Sequence, residues 1–525
     1  MLLLGLAAAN VGWLLVSAGA LVSALYLNPD IASAPVIASL LAHAPAGRVV
    51  TLGNYPWYEP LWLLELTRGL PWHRELWEAA PFLVAAADLA LVVWMAWRAV
   101  GPQAALITGV VLACTTHGMR FVLLTPNAHG AALFHGVLLG AALVFVSRRG
   151  SRISTPVLVA GGLALSVITA IGVSDRLLVI DSLVPFVFTA WFCWWRTRST
   201  AQRMIALVAS NLAVLALLLG LLAETAMRAD HVAQTRDFGL TFVQANQLLP
   251  NVGIFVSAFS YLGGGDFFGA PISGGGLASL AAGLLTLAAG AAVVRWCWRA
   301  APNLLAPPRR LTSAALARET YIVFWATTLV FTVAAFLLSS APQDVRDSRY
   351  FVAAFVAVVA LLPALAPTGG RARLVLVAGV SVYALLALRS SIEEGRYAYG
   401  TQITTAETQQ LVRYADRQRL AYGYADYTTA PVLTWATGLR VHVFPVRPCS
   451  QGLCAFYLHT ISSWYAPHPG ARTFLIVDQA SQGSYLPVTR PSAAFGRPAS
   501  RAQLGDLTIY VYNHDIAAQL GPNPG

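Results

Sequence analysis

Lysine is absent from these 525 residues: all 34 basic side chains are arginine, set against 23 acids and a formal charge of +11. Charge of either sign is scarce. Only 11% of the chain is charged, far below the roughly 25% of soluble globular proteins, and that class is excluded. There is no GxGxxG and no P-loop, so nucleotide binding has no motif to rest on. Cysteine numbers five, with no CxxC redox pair. What is abundant is apolar surface. At 57% hydrophobic residues the chain is not disordered, and a mean hydropathy of +0.63 favours lipid. The basic balance raises nucleic acid or an anionic surface as a partner, a reading that depends on where the arginines sit.

A helix crossing the hydrocarbon layer needs about 20 mostly apolar residues. Eleven stretches qualify: 3–26, 80–98, 103–124, 130–147, 155–173, 177–195, 204–224, 276–294, 320–340, 350–367 and 373–389. The third is the poorest, because His117 and Arg120 fall near its end. The first lacks a basic leader, and its apolar run exceeds the about 7–15 residues of a signal peptide, so it reads as a retained anchor.

Arginine then sets the orientation. The short loops between alternate spans hold Arg98, Arg148, Arg149, Arg152, Arg196, Arg198, Arg203, Arg295, Arg299, Arg309, Arg310, Arg318, Arg371 and Arg373, with Glu319 as their one acid. The other 20 Arg face 22 acids. Positive loops stay cytoplasmic, which puts the N-terminus inside and, after eleven spans, the C-terminus outside. Nucleic acid drops out as a partner, and the lipid bilayer replaces it.

The expected fold is therefore mainly α: a polytopic helix bundle over 1–389 with outer loops at 27–79 and 225–275, followed by a small extracytoplasmic α/β domain over 390–525. In that last domain a helical stretch, Thr405–Leu420, precedes strand-like segments Leu439–Val446, Arg472–Val477 and Leu507–Tyr512. Cys449 and Cys454 lie there, in an oxidising compartment. They read as a disulfide candidate, with free thiols as the alternative. Cys114, Cys193 and Cys297 fall in or near spans and read as packing residues.

Ionisable groups at membrane depth are functional suspects. Asp30 follows the first span in Tyr26-Leu-Asn-Pro-Asp30, placed to act as a general base or simply to sit solvated in a turn. The first loop is aromatic, and Trp57, Tyr58, Glu59 and Trp62 suit helices lying in the membrane interface. His129 and His135 are proton-transfer candidates or hydrogen-bonded structural residues. Ser174 and Asp175 fit capping of the next span, while Asp181 lies deeper. Glu224, Arg228 and Gly263-Gly-Gly-Asp266 belong to the fourth outer loop, and the glycines read as a phosphate cradle or a hinge. Arg346 and Arg349, three apart, present two forks to one phosphate or pair with Asp344 and Asp347.

This layout resembles the GT-C superfamily of integral-membrane glycosyltransferases, which take sugars from polyprenyl-phosphate carriers. The likeness rests on an acid just after the first span, a long first outer loop, inward arginines and a terminal outer domain. It implies a bacterial inner-membrane hexosyl- or pentosyltransferase that uses a polyprenyl-phosphate-linked sugar donor and a glycan, lipid or protein acceptor. Asp30 would be its catalytic acid, with His129 and Asp175 as further catalytic candidates. Arg346, Arg349 and Arg228 would hold the carrier phosphate. No ligand spacing singles out a metal, although outer carboxylates have the chemistry to hold Mg²⁺ or Mn²⁺. Two other classes remain: a transporter or flippase, which would place polar groups near the bilayer midplane, and a non-catalytic envelope-assembly protein working through its outer domain.

Overall fold

Apolar stretches of span length become helices because lipid offers no partner to a bare backbone N–H or C=O. In the computed structural model, the described residues are 1–41, 48–52, 70, 73–125, 129–149, 153–229, 232–234, 241–268, 270–304, 306, 311–340, 342–366, 369–393, 403–420, 422–449, 452–456, 458–480 and 495–521. Among them, nine helices are long and apolar enough to cross a membrane, and a bent pair makes a tenth span. The chain is a mainly α-helical, multi-pass membrane protein with a small sheet domain.

Two of the eleven expected spans depart from a straight helix. The stretch 103–124 breaks into Pro102–Ala113 and His117–Leu123, bent by 90°. Thr116 heals the break: its Oγ1 accepts from the Met119 N–H at 3.3 Å and donates to the Leu262 carbonyl at 2.6 Å. The bend lets the buried Arg120 guanidinium reach the hydroxyls of Thr115 and Ser391, contacts that lipid cannot supply. The stretch 177–195 begins as a π-turn, Val179–Leu183, and continues as the 14-residue helix Val184–Thr197. The stretch 225–275 also holds a 15-residue helix, Leu248–Leu262.

The chain divides into two compact units, one of residues 1–17, 79–223 and 239–394, the other of 18–78, 224–238 and 395–525. The first is the helix bundle. Its outward side chains are apolar, with Leu163, Leu374 and Val375 all largely exposed, the pattern of a lipid-facing surface. Its interior is lined by small residues, including Ala206, Ala317, Ala354, Ala357 and Ala384, all fully buried. Arg196, also fully buried, donates to both carboxylate oxygens of Glu319 at 3.1 and 3.3 Å and to the Asn303 carbonyl. The one acid of the arginine-rich loops thus pairs with a buried arginine.

Among the described residues, the second unit carries nine strands: β1 (Val50–Leu52), β2 (Val232–Gln234), β3 (Tyr422–Asp426), β4 (His442–Cys449), β5 (Gly452–Ala455), β6 (Thr460–Ile461), β7 (Thr473–Asp478), β8 (Ser500–Leu504) and β9 (Leu507–Tyr512). Two sheets form, ordered β2-β1-β6 and β5-β4-β3-β7-β9-β8. In the smaller one β1 runs parallel to β2 and antiparallel to β6, so three segments far apart in the chain share one hydrogen-bonded ladder. In the larger, β3 is parallel to both β4 and β7. The near-continuous apolar run of β7 is buried at every position, as a strand covered on both faces requires. Gly423 in β3 is there for space, since a Cβ would fall 2.4 Å from the Phe474 carbonyl oxygen. Before this sheet, helix Thr405–Gln418 opens on a capping box, with Thr404 and Glu407 capping each other's backbone. A disulfide joins Cys449 and Cys454 across the β4–β5 turn.

Candidate functional site

Asp30 does not lie in a solvated turn. Pro29 starts helix Pro29–Leu41, as its locked φ favours, and the Asn28 side chain accepts the Asp30 N–H at 2.9 Å. Asp30 therefore occupies the first helical turn, where the positive end of the dipole stabilises a carboxylate. Its Oδ1 accepts a 2.6 Å hydrogen bond from the Tyr427 hydroxyl, and the Nδ1 of His459 is 3.9 Å away. Tyr427 and His459 also share a short hydrogen bond. Proton counting fixes the direction: Tyr427 has one proton and gives it to Asp30 Oδ1, so His459 donates from Nδ1 to the Tyr427 oxygen. Burial holds the His459 imidazole down at about 4, with the Asp30 carboxylate pulling the other way. It is neutral at pH 7, and in this order its one proton sits on Nδ1. His459 sits at φ 52, a left-handed backbone rare outside glycine, a conformation that persists only where its surroundings enforce it. Asp30 itself is half-open, with its side chain 37% exposed.

The walls of this group are aromatic. Phe456 stacks on Tyr427 with centroids 4.6 Å apart. Trp435 is held from two directions, stacked on Tyr26 at 5.4 Å and covered by the Arg74 guanidinium at 4.4 Å. Helix Ala430–Ala436, which carries Trp435, packs on the Asp30 helix. Trp77 is fully buried in the same unit. Trp57, Tyr58, Glu59 and Trp62 lie outside the described residues.

A second cluster belongs to the helix bundle. His129 Nδ1 and Asp175 Oδ2 are 2.7 Å apart and both side chains are buried. His129 has φ 66 and is another backbone outlier. Asp175 also caps the next turn, accepting the Leu177 N–H at 3.0 Å, so capping and histidine orientation share one carboxylate. The His129 ring lies 5.1 Å from Tyr350, and the Arg349 guanidinium covers the same Tyr350 ring at 5.0 Å and donates to its hydroxyl. Asp347 approaches Arg349 at 3.7 Å but is mainly engaged by the backbone N–H groups of Gln343 and Asp344. Deeper in the bundle, Thr332 donates to Asp181 at 2.9 Å, and Gly172 leaves room for His135, whose ring a Cβ there would strike.

The remaining candidates fall elsewhere. Arg228 makes an i,i+4 pair with Glu224 at 2.7 Å in the second unit. Arg346 lies within the turn Val345–Phe351, and its side chain is outside the described residues. Gly263 and Gly265 are explained by close packing: a Cβ would collide with Thr286 at the first and with Ser260 and Gly283 at the second. Among the described residues, no three His, Cys, Asp or Glu side chains gather so as to hold a metal ion.

Tyr427 and His459 escaped sequence reasoning as partners of Asp30. The only sequence signal is Tyr427 directly after the strand-ending Asp426, 397 residues from the carboxylate it serves.

No protein-family model matches the chain, and no curated protein sequence matches it. Several solved structures align with the chain. The oligosaccharyltransferase of Archaeoglobus fulgidus, in complex with zinc and sulfate, aligns at 13% identity over 84% of this chain and 62% of its own length, with a TM-score of 0.46. The same organism's AglB, complexed with an inhibitory peptide and a dolichol-phosphate, aligns at 12% identity over 82% of this chain and 64% of its own, with a TM-score of 0.45. The chain thus spans less than two thirds of these archaeal proteins. ArnT from Cupriavidus metallidurans, bound to undecaprenyl phosphate, aligns at 13% identity over 98% of this chain and 99% of its own, with a TM-score of 0.46.

Proposed function

We propose that the protein is a GT-C-type glycosyltransferase that moves a sugar from a polyprenyl-phosphate carrier to an acceptor hydroxyl at the outer face of the membrane, with Asp30 as catalytic base. The observation that carries this reading is the Asp30–Tyr427–His459 chain: a carboxylate at a helix start, oriented by a hydroxyl, backed by a neutral histidine and still open to water. In the reaction, Asp30 takes the acceptor hydroxyl proton as its oxygen attacks the anomeric carbon. The bond from that carbon to the carrier phosphate breaks, and the electron pair leaves with the phosphate. Arg349, Arg346 and Arg228 are the cations assigned to that leaving group. Asp30 then returns its proton to water. The described residues offer no metal set, and no step is routed through one.

The test is transfer from purified polyprenyl-phosphate-linked sugars by protein in lipid nanodiscs. Asp30→Asn keeps the size and the Tyr427 contact but removes the base, and should lower transfer by about 10²–10⁴-fold. A stable Asp30→Asn variant with wild-type transfer would falsify the assignment.

A further inference from the structure

A cavity of about 350 Å³ opens in the second unit beside β1 and β6. That is within the roughly 300–1,000 Å³ of small-molecule sites. Its lining includes Thr51, Thr460, Ser462, Phe456, Tyr465 and Leu520, and among the described residues no Asp, Glu, Arg or His contributes to it. One of its walls is shared with the Asp30 group: Phe456 lines the cavity and stacks on Tyr427, whose hydroxyl holds Asp30 at 2.6 Å.

The chemistry of the lining selects its occupant. Among the described lining residues a phosphate or carboxylate finds no counter-charge to offset its desolvation. An all-apolar chain would bury hydroxyls against hydrocarbon. The hydroxyls present hydrogen-bonding capacity of both signs. Tyr465 gives its proton to the Pro445 carbonyl at 2.6 Å, which leaves its oxygen as an acceptor. Ser462 Oγ accepts the Val49 N–H at 2.8 Å, which leaves its own proton to donate. Rings for C–H faces, with neutral donors and acceptors between them, match a pyranose. We propose that this cavity is the acceptor subsite and takes the end of a neutral, hydroxyl-rich glycan, presenting one hydroxyl towards Asp30. The proposal rests on the glycosyltransferase reading and narrows its acceptor to one chemical class.

The experiment is binding of the full chain, in nanodiscs and without donor, to an array of neutral glycans, uronate-bearing or sulfated glycans, and peptides. Neutral glycans should be retained in preference to both other sets. Leu520→Trp, which fills the cavity, and Thr51→Val, which removes one hydroxyl at nearly constant shape, should each weaken that binding about tenfold or more. Asp30→Asn should bind as the wild type does while losing transfer. Absence of neutral-glycan binding overturns the proposal, as does preference for acidic glycans or peptides, or binding unchanged in both cavity variants. If cavity binding holds but Asp30→Asn still transfers sugar, the reaction reading fails and the acceptor role falls with it.

Discussion

At the scale of residues, His459 is the group whose protonation tests the Asp30 assembly. Burial holds its imidazole at about 4, against an ordinary value of 6.5. Between those values an unfolded chain takes up a proton that the native state refuses. Native stability is therefore complete above about pH 6.5 and falls as pH drops towards 4. The melting temperature of the nanodisc-bound protein should decline through that window, and His459→Gln, which cannot titrate, should flatten the decline. Parallel curves for the two proteins would show that this histidine is not the group responsible. Asp30 was legible in the sequence because an acid directly after an anchoring span is conspicuous. Tyr427 and His459 were not. Hydroxyl and imidazole side chains are common in a small α/β domain, and nothing local marks the two that reach back across 397 residues and more. The His129–Asp175 pair was half-legible: both residues stood out as candidates, but the left-handed turn that brings them to 2.7 Å did not.

At the scale of elements, span positions follow from apolar length, while their deviations follow from contacts. The bend at 114–116 and the π-turn at 179–183 both occur where polar side chains must find partners inside an apolar layer: Arg120 at the first, Asp181 at the second. The helices Gly130–Arg149 and Ser313–Leu338 depend on a missing side chain. A Cβ on Gly140 would fall 2.5 Å from the buried ring of Phe324. Gly140→Ala should destabilise the bundle by about 1–3 kcal/mol, because a packed ring cannot simply swing away. Unfolding in mixed detergent micelles measures it, and Phe324→Leu should recover part of the loss in the double variant. A neutral Gly140→Ala would mean these two helices stand further apart.

At the scale of the whole molecule, the +11 formal charge is a record of topology more than of affinity. Fourteen arginines and one acid crowd the loops assigned to the cytoplasm, and that acid, Glu319, is paired with Arg196 in the interior. The two outer loops and the terminal domain, assigned to the opposite side, contribute β1, β2 and β6 to one sheet, which requires all three segments on the same side of the bilayer. Reporter fusions check the sidedness: alkaline phosphatase joined after residue 520 should be active, and joined after residue 370 inactive. The reverse pattern would invert the topology and remove Asp30 from the outer face.

The sequence by itself determined the membrane class, the positions of most spans and the strand Leu507–Tyr512, whose observed limits coincide with the expected ones. These are consequences of local composition: lipid demands long apolar runs, and sheets demand β-branched and aromatic ones. Tertiary structure alone decided which side chains meet Asp30, that Asp175 holds His129 as well as capping a helix, and that a cavity shares Phe456 as a wall with Tyr427. Those features depend on residues hundreds of positions apart meeting at hydrogen-bond distance, and a hydrogen bond leaves no periodicity in the chain that makes it.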